Sequence, residues 1–105
     1  MSFWKVDPYY EWDDDTRERA LAVFDMLRSL PDTKVSTTTR RPAALTGSTI
    51  IVAAHGDGLA FRLDGLEGAP AKGLSVRGMT AVGAERWEEW EDDARRAHDQ
   101  AVRDA

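Results

Sequence analysis

The sequence contains no cysteine and only two histidines among its 105 residues. Without cysteine, the chain cannot form a disulfide framework, a thiol nucleophile or a zinc site built on sulfur. Its N-terminus lacks a basic segment followed by an apolar one, and no apolar run approaches the roughly 20 residues that cross a bilayer. We therefore expect a cytoplasmic protein that is neither secreted nor inserted into a membrane.

Positive charge is also scarce, since 14 Lys and Arg side chains stand against 19 Asp and Glu, giving a net charge of −5. The distribution is uneven. Residues 34–62 hold four basic side chains and one acidic side chain. Residues 1–33 hold four basic and eight acidic side chains, and residues 63–105 hold six basic and ten acidic side chains. Because acidic surfaces repel a phosphate backbone, any contact with nucleic acid is expected to be confined to the central third.

The length and composition indicate one folded domain over residues 1–105. Apolar residues make up 42% of the chain and charged residues 31%, which is ordinary for a globular protein. A second hydrophobic core would have too little surface to bury in a chain of this size. Residues 1–12 form an aromatic leader to this domain.

Two helices are predicted, one near each end of the chain. Asp13, Asp14 and Asp15 supply an N-cap and first-turn acids for a helix over 14–30, which Pro31 ends. A second helix is predicted over 84–103 from apolar residues that recur at steps of three and four: Trp87, Trp90, Ala94, Ala97 and Ala101.

The middle of the chain is typical of short strands. Residues 34–39 suit an edge strand, and residues 49–54 and 59–63 form a β-hairpin whose glycines supply positive φ. Strict alternation places Ile50, Val52 and Ala54 on an apolar face, and Ile51 on a half-polar face that nothing covers. Residues 64–73 are predicted as a loop, followed by strands at 74–77 and 79–82. The order favours a two-layer α+β fold, an antiparallel sheet of about five short strands with both helices on one face.

Three stretches together resemble a known family: "GSTIIVAAHGDGLAFRL", "GLSVRGMTAV" and "ERWEEWEDDARRAHDQA". Over roughly residues 20–100 the chain is similar to the YjbR-like (MmcQ-type) proteins and the related TfoX N-terminal domains. That resemblance implies a compact two-layer α+β fold with a curved antiparallel sheet. The family is often labelled DNA-binding and has no known enzymatic activity, so the resemblance implies a candidate DNA-binding role without catalysis.

The stretch "HGDG" is the segment that most resembles an active site. His55 could act as a general base oriented by Asp57, but Ser48, seven residues back, lies about 23 Å away along an extended strand, so no triad can form locally. Since glycine and aspartate are what a hairpin turn requires, we interpret the segment as a turn. No catalytic residue, cofactor or metal site is predicted, and His98 is expected on the surface of the second helix.

Two further groups of residues are candidates for binding. The basic residues of the central segment suit phosphates: Lys34, Arg40, Arg41 and Arg62. The aromatic residues of the leader and of the second helix either form the core or form a surface for a protein partner or a second copy of the chain: Trp4, Tyr9, Tyr10, Trp12 and Trp90. Core is the favoured interpretation, because each buried large aromatic contributes roughly 2 to 3 kcal/mol.

From these observations we expect a non-catalytic binding or accessory module that uses its sheet surface and the groove beside the second helix. Its partner would be a protein or a second copy of the chain. Weak DNA binding through the central basic segment is the alternative, although the negative net charge disfavours it. A third hypothesis, an enzyme or ligand-binding protein, requires a deep pocket where His55 meets acids from another element.

Overall fold

The computed structural model describes residues 12–36, 41–74 and 78–104. These residues form two α-helices, one 3-10 helix and six strands. In chain order the elements are α1 (Asp14–Arg28), β1 (Thr33–Ser36), β2 (Ala43–Thr46), β3 (Thr49–His55), β4 (Gly58–Phe61), β5 (Ala69–Pro70), β6 (Thr80–Val82), the 3-10 helix (Ala84–Glu89) and α2 (Trp90–Asp104).

The six described strands form one sheet, and both helices pack against the same face of it. The strand order is β1-β2-β3-β4-β6-β5, and every neighbouring pair is antiparallel. Buried side chains of α1 and α2 share one hydrophobic cluster with side chains of β2, β3, β4 and β6. The predicted α+β fold is confirmed, with six described strands where the sequence indicates about five.

Helix α1 begins where the sequence predicts. Asp13 is its N-cap, and the Asp13 carboxylate accepts a hydrogen bond from the backbone N–H of Thr16 at 2.7 Å. This bond is the main reason that the pKa of the Asp13 carboxyl lies below its usual value. The helix ends at Arg28 rather than at residue 30, and Asp32 then adopts a left-handed conformation with φ 55° just before β1.

The predicted hairpin is confirmed as β3 and β4. Its pairs are His55 with Gly58, Ala54 with Leu59, Ala53 with Ala60 and Val52 with Phe61. Gly56 and Asp57 are therefore the central turn residues, and Gly56 has the positive φ of 54° that favours glycine. Gly58 is required for a different reason, because a Cβ atom there would lie 2.4 Å from the backbone oxygen of Val82 on β6.

A β-bulge in β3 changes which isoleucine enters the core. Ala44 pairs with Val52 but Leu45 pairs with Ile50, so Ile51 is the extra residue on the bulged strand. Ile51 and Val52 are both fully buried in the main cluster, whereas Ile50 packs on the opposite face of the sheet. The prediction that Ile50 faces the helices and Ile51 faces away is wrong, because strict alternation fails at a bulge.

The sheet face away from the helices is more covered than the sequence indicates. One small residue from each strand forms a row across it: Ser36, Ala43, Ala53, Ala60, Ala81 and Ala69. Met79 is buried against Ala53 and Ala60, with Ala71 and Leu74 packed beside them. The predicted half-polar, uncovered face is therefore wrong in the middle of the sheet, where Met79, Ala71 and Leu74 pack on the small side chains.

Two strands were not predicted. β2 consists of Ala-Ala-Leu-Thr directly after Pro42, and β5 lies inside the predicted 64–73 loop. β1 confirms the edge strand predicted at 34–39, and β6 confirms the strand predicted at 79–82. The end of the first predicted strand, residues 37–39, lies outside the described residues. The strand predicted at 74–77 also falls mostly outside them, because residues 75–77 are not described, and its first residue, Leu74, is not in a strand.

The C-terminal helical region has two parts. Residues 84–89 form the 3-10 helix, in which Arg86 has a non-helical backbone (φ −112°, ψ 26°), and α2 begins at Trp90. The prediction of one helix over 84–103 is wrong before residue 90. Trp90, Ala94 and Ala97 of α2 enter the core, while Trp87 of the 3-10 helix remains partly exposed.

Neither of the two described α-helices is both long enough and apolar enough to cross a lipid bilayer.

Candidate functional site

The hairpin histidine contacts backbone rather than acidic side chains. His55 lies at the end of β3, as predicted, and its Nε2 donates a hydrogen bond to the backbone oxygen of Lys72 at 2.9 Å. Asp57 is exposed in the turn. Across residues 12–36, 41–74 and 78–104, no three His, Asp or Glu side chains lie close enough to hold a metal ion. In the described structure the ring of His55 therefore connects the hairpin to residues 71–74.

His98 is buried rather than on the helix surface. It is 7% exposed, and its Nε2 donates a hydrogen bond to the backbone oxygen of Pro31 at 3.0 Å. The prediction of a surface position is wrong, because the turn after α1 packs over this side of α2. His98 thereby joins the two helices and has a structural role.

The basic residues of the central segment do not form one patch in the described structure. Lys34 is exposed on edge strand β1, while Arg62 follows β4, roughly 14 Å away across three strand spacings. Arg41 donates a hydrogen bond to the backbone oxygen of Ala54. Arg62 lines a cavity of about 170 Å³ that also contains Asp104, so an acid lies near this arginine. Arg40 lies outside the described residues.

Trp12 and Trp90 are core residues. They are 5% and 1% exposed, and their indole N–H groups donate to the backbone oxygens of Gly58 and Val82 at 3.2 and 3.1 Å. The favoured core interpretation is confirmed for both, and the hypothesis that they form an interaction surface is wrong because neither offers enough exposed area. The other members of that set, Trp4, Tyr9 and Tyr10, lie outside the described residues.

Trp87 is the exposed aromatic side chain of the described structure. It is 39% exposed, whereas the other described Trp and Phe residues are each at most 5% exposed. The guanidinium of Arg19 on α1 stacks over the indole, 4.1 Å from the ring centroid. The sequence places Trp87 and Trp90 on the same helical stripe, whereas in the structure Trp87 lies on the 3-10 helix and Trp90 begins α2. No sequence signal in this chain could have identified Trp87 as the exposed one.

A groove runs beside this tryptophan, between α1 and the 3-10 helix. We call it the Trp87 groove, and its lining residues are Arg19, Ala22, Val23, Trp87, Glu88 and Glu91. The groove has a volume of about 170 Å³. Pockets for small molecules are typically larger, from about 300 Å³ upwards. The groove is therefore sized for one or two side chains of another molecule.

The outer surface of α1 continues from the Trp87 groove. A second depression, here called the α1 depression, is lined by Asp14, Arg17, Glu18, Leu21, Ala22 and Asp25. Ala22 belongs to both linings, so the two are adjacent on the same helix. Together the linings hold five acidic and two basic side chains. The exposed apolar area of Trp87 thus lies within an acidic surface.

An ion pair holds the 3-10 helix that carries Trp87. Arg86 donates Nε and Nη2 to the two carboxylate oxygens of Glu89 at 2.9 and 3.0 Å, and its Nη1 donates to the backbone oxygen of Glu67 at 2.8 Å. The hydrogen bonds from Arg86 lower the pKa of the Glu89 carboxyl. Since these bonds also join residues 64–68 to the 3-10 helix, Arg86 helps to position the Trp87 groove.

Comparisons of the chain with protein-family models, with curated proteins and with solved structures found no match. The resemblance to YjbR-like proteins therefore stays a prediction. An α+β fold does not by itself assign a function, because function depends on the site.

Proposed function

We propose that this protein is a non-catalytic accessory module that binds a protein partner through the Trp87 groove. The observation that carries the proposal is the exposure of Trp87 beside a narrow groove lined by both apolar and charged side chains, while the other described Trp and Phe side chains are buried. Tryptophan is enriched among the residues that dominate protein–protein binding energies. The proposed location is the cytoplasm, supported by the absence of cysteine.

The exposed part of Trp87 is large enough to matter for binding. A tryptophan side chain presents up to about 250 Å², so the 39% that is exposed corresponds to about 100 Å². At about 25 cal/mol per Å², covering this area would contribute roughly 2.5 kcal/mol. That value is typical of an interface hot spot.

The indole is also held in place before binding. Arg19 stacks on the ring, and Arg86 connects the 3-10 helix to Glu89 and to the backbone of Glu67. A side chain that is already ordered loses little conformational entropy when a partner covers it. This arrangement favours a recognition surface over an accidental exposure.

The proposal predicts that peptides selected for binding to this protein depend on Trp87. Random peptides displayed on phage would be selected against the wild-type protein and then tested on Trp87→Ala. We expect Trp87→Ala to weaken binding of the enriched peptides by about thirtyfold, which corresponds to about 2 kcal/mol. Fluorescence anisotropy of labelled peptides measures the change.

The matched control is Val102→Ala. Val102 is the other exposed large apolar residue of the described structure, at 52%, and it lies near the far end of α2. This variant should retain peptide binding. Enriched peptides that bind Trp87→Ala as well as wild type, or a selection that enriches no peptide, would refute the groove as the binding site.

Weak DNA binding through the central basic segment is the second candidate. It is supported by the net charge of +3 over residues 34–62, by the exposure of Lys34 and Arg62, and by the label of the family that the chain resembles. A mobility-shift titration over a salt series tests it, with Arg40→Ala/Arg41→Ala as the variant. Binding at low salt that weakens in this variant would favour DNA as the ligand, and unchanged or absent binding would exclude this segment.

A further inference from the structure

The Trp87 groove and the α1 depression carry unneutralised negative charge. Of the five acids in their linings, Asp14, Asp25 and Glu91 each pair with an arginine on their own helix at 3.0, 2.8 and 3.3 Å. Glu18, Glu88 and Arg19 form no ion pair with any residue of the described ranges. Counting the ion-pair partners, five acids stand against four arginines (Arg17, Arg19, Arg28 and Arg95), so one negative charge remains in excess. Both Glu18 on α1 and Glu88 on the 3-10 helix are exposed.

We infer that the partner segment is basic: a Lys- or Arg-rich stretch of another protein, with an apolar side chain that packs on Trp87 and Ala22. The inference rests on the proposed function and specifies the chemistry of its ligand. A cationic segment would supply the charges that Glu18 and Glu88 lack, while its apolar residue covers the indole.

The charge of the groove argues against the other classes of ligand. Nucleic acid and anionic lipid surfaces are both negatively charged, and the acids that line this surface would repel them. An acidic segment would place like charges together at the rim of the contact, which is unfavourable. A neutral apolar segment could cover Trp87, but it would offer no cation to Glu18 and Glu88. Those carboxylates would then lose part of their hydration at the edge of the contact without gaining an ion pair.

The test uses the peptides from the selection described above. Among peptides whose binding depends on Trp87, we expect enrichment in lysine and arginine relative to the starting library. Synthetic versions in which each Lys and Arg is replaced by Gln should bind about tenfold more weakly, and affinity of the basic versions should fall as salt rises.

Charge reversal on the protein provides the second part of the test. The variant Glu18→Lys/Glu88→Lys should weaken the basic peptides by about tenfold. The control Asp57→Lys/Asp64→Lys makes the same change in net charge at exposed positions away from the groove, and it should have little effect. Equal losses in both variants would mean that net charge alone governs binding, which would contradict the inference.

Each outcome separates the inference from the proposed function. Trp87-dependent peptides that are neutral or acidic would overturn the basic partner and leave the groove as a protein-binding site. Peptides that do not depend on Trp87 would overturn both. Concentration-dependent dimerisation that Trp87→Ala abolishes, measured by sedimentation, would show that a second copy of the chain is the occupant instead.

Discussion

At the scale of single residues, Asp93 has the least favourable environment. It lies in the first turn of α2 with 3% of its surface exposed, and its Oδ2 is the one buried side-chain polar atom of the described residues without a hydrogen-bond partner. Its Oδ1 lies 3.8 Å from Nη1 of Arg96. Burial raises the pKa of the Asp93 carboxyl above 3.8, and the nearby charge of Glu89 adds to this.

The raised pKa predicts how stability depends on pH. Because the folded-state pKa lies above the unfolded-state value of 3.8, the folded protein binds more protons in the window between the two values. The contribution of Asp93 to stability is therefore greatest below this window and decreases as pH rises through it. We expect Asp93→Asn to be more stable than wild type at pH 7, with the difference becoming smaller on acidification.

Urea unfolding over a pH series measures this effect. The free energy of unfolding of the variant, minus that of wild type, should decrease towards acid pH. A variant that is less stable than wild type by the same amount at every pH would show that the carboxylate makes a required hydrogen bond.

Trp87 on the 3-10 helix and Trp90 at the start of α2 form a matched pair for a second prediction. Trp90→Phe removes the indole N–H from the buried backbone oxygen of Val82 and leaves a cavity, so it should cost about 2 kcal/mol or more. Trp87→Phe affects a partly exposed ring and its contact with Arg19, and should cost at most about 1 kcal/mol. Equal losses of unfolding free energy in the two variants, measured by urea unfolding, would contradict these different environments.

At the scale of secondary-structure elements, the irregular positions decide what the sheet and the helices present. The bulge at Ile51 sends two consecutive side chains into the core, and the non-helical backbone at Arg86 interrupts the helical region that carries Trp87. Both irregularities depend on long-range packing. Neither leaves a pattern in the local sequence that distinguishes it from a regular strand or helix.

The bulge predicts that two adjacent isoleucines differ in their contributions to stability. Ile51→Ala should cost about 2–5 kcal/mol, because Ile51 is fully buried against the helices. Ile50→Ala should cost less, since Ile50 is half-buried on the opposite face. Chemical denaturation of the two variants provides the comparison, and the reverse order would indicate regular alternation without a bulge.

Elements with strong local signals could be predicted, and those without them could not. The glycines around Asp57 and the N-cap Asp13 correctly indicated the hairpin and the start of α1, because each satisfies a local backbone requirement. β2 was missed because Ala-Ala-Leu-Thr has weak strand propensity, and its hydrogen bonds come from β1 and β3. The sequence predicts a groove beside the second helix as the binding surface, but the helical pattern alone does not show that Trp87 is exposed while Trp90 is buried.

At the scale of the whole molecule, the Trp87 groove and Lys34 of the central basic segment lie on different layers. The outer surface of the helical layer holds the Trp87 groove and the unpaired carboxylates of Glu18 and Glu88. Lys34 pairs across the sheet with Leu45, and Leu45 pairs with Ile50. Because paired residues share a face and Ile50 packs away from the helices, Lys34 also lies on the face away from the helices. This separation means that the protein-binding and DNA-binding hypotheses predict contacts on different surfaces.

The most direct test follows the backbone amide resonances of isotope-labelled protein while a selected basic peptide is added. We predict shifts concentrated in α1 and in residues 84–91, and their loss in Trp87→Ala. Shifts centred on β1 and residues 41–62 instead, or shifts that persist in Trp87→Ala, would contradict the Trp87 groove as the functional surface of this protein.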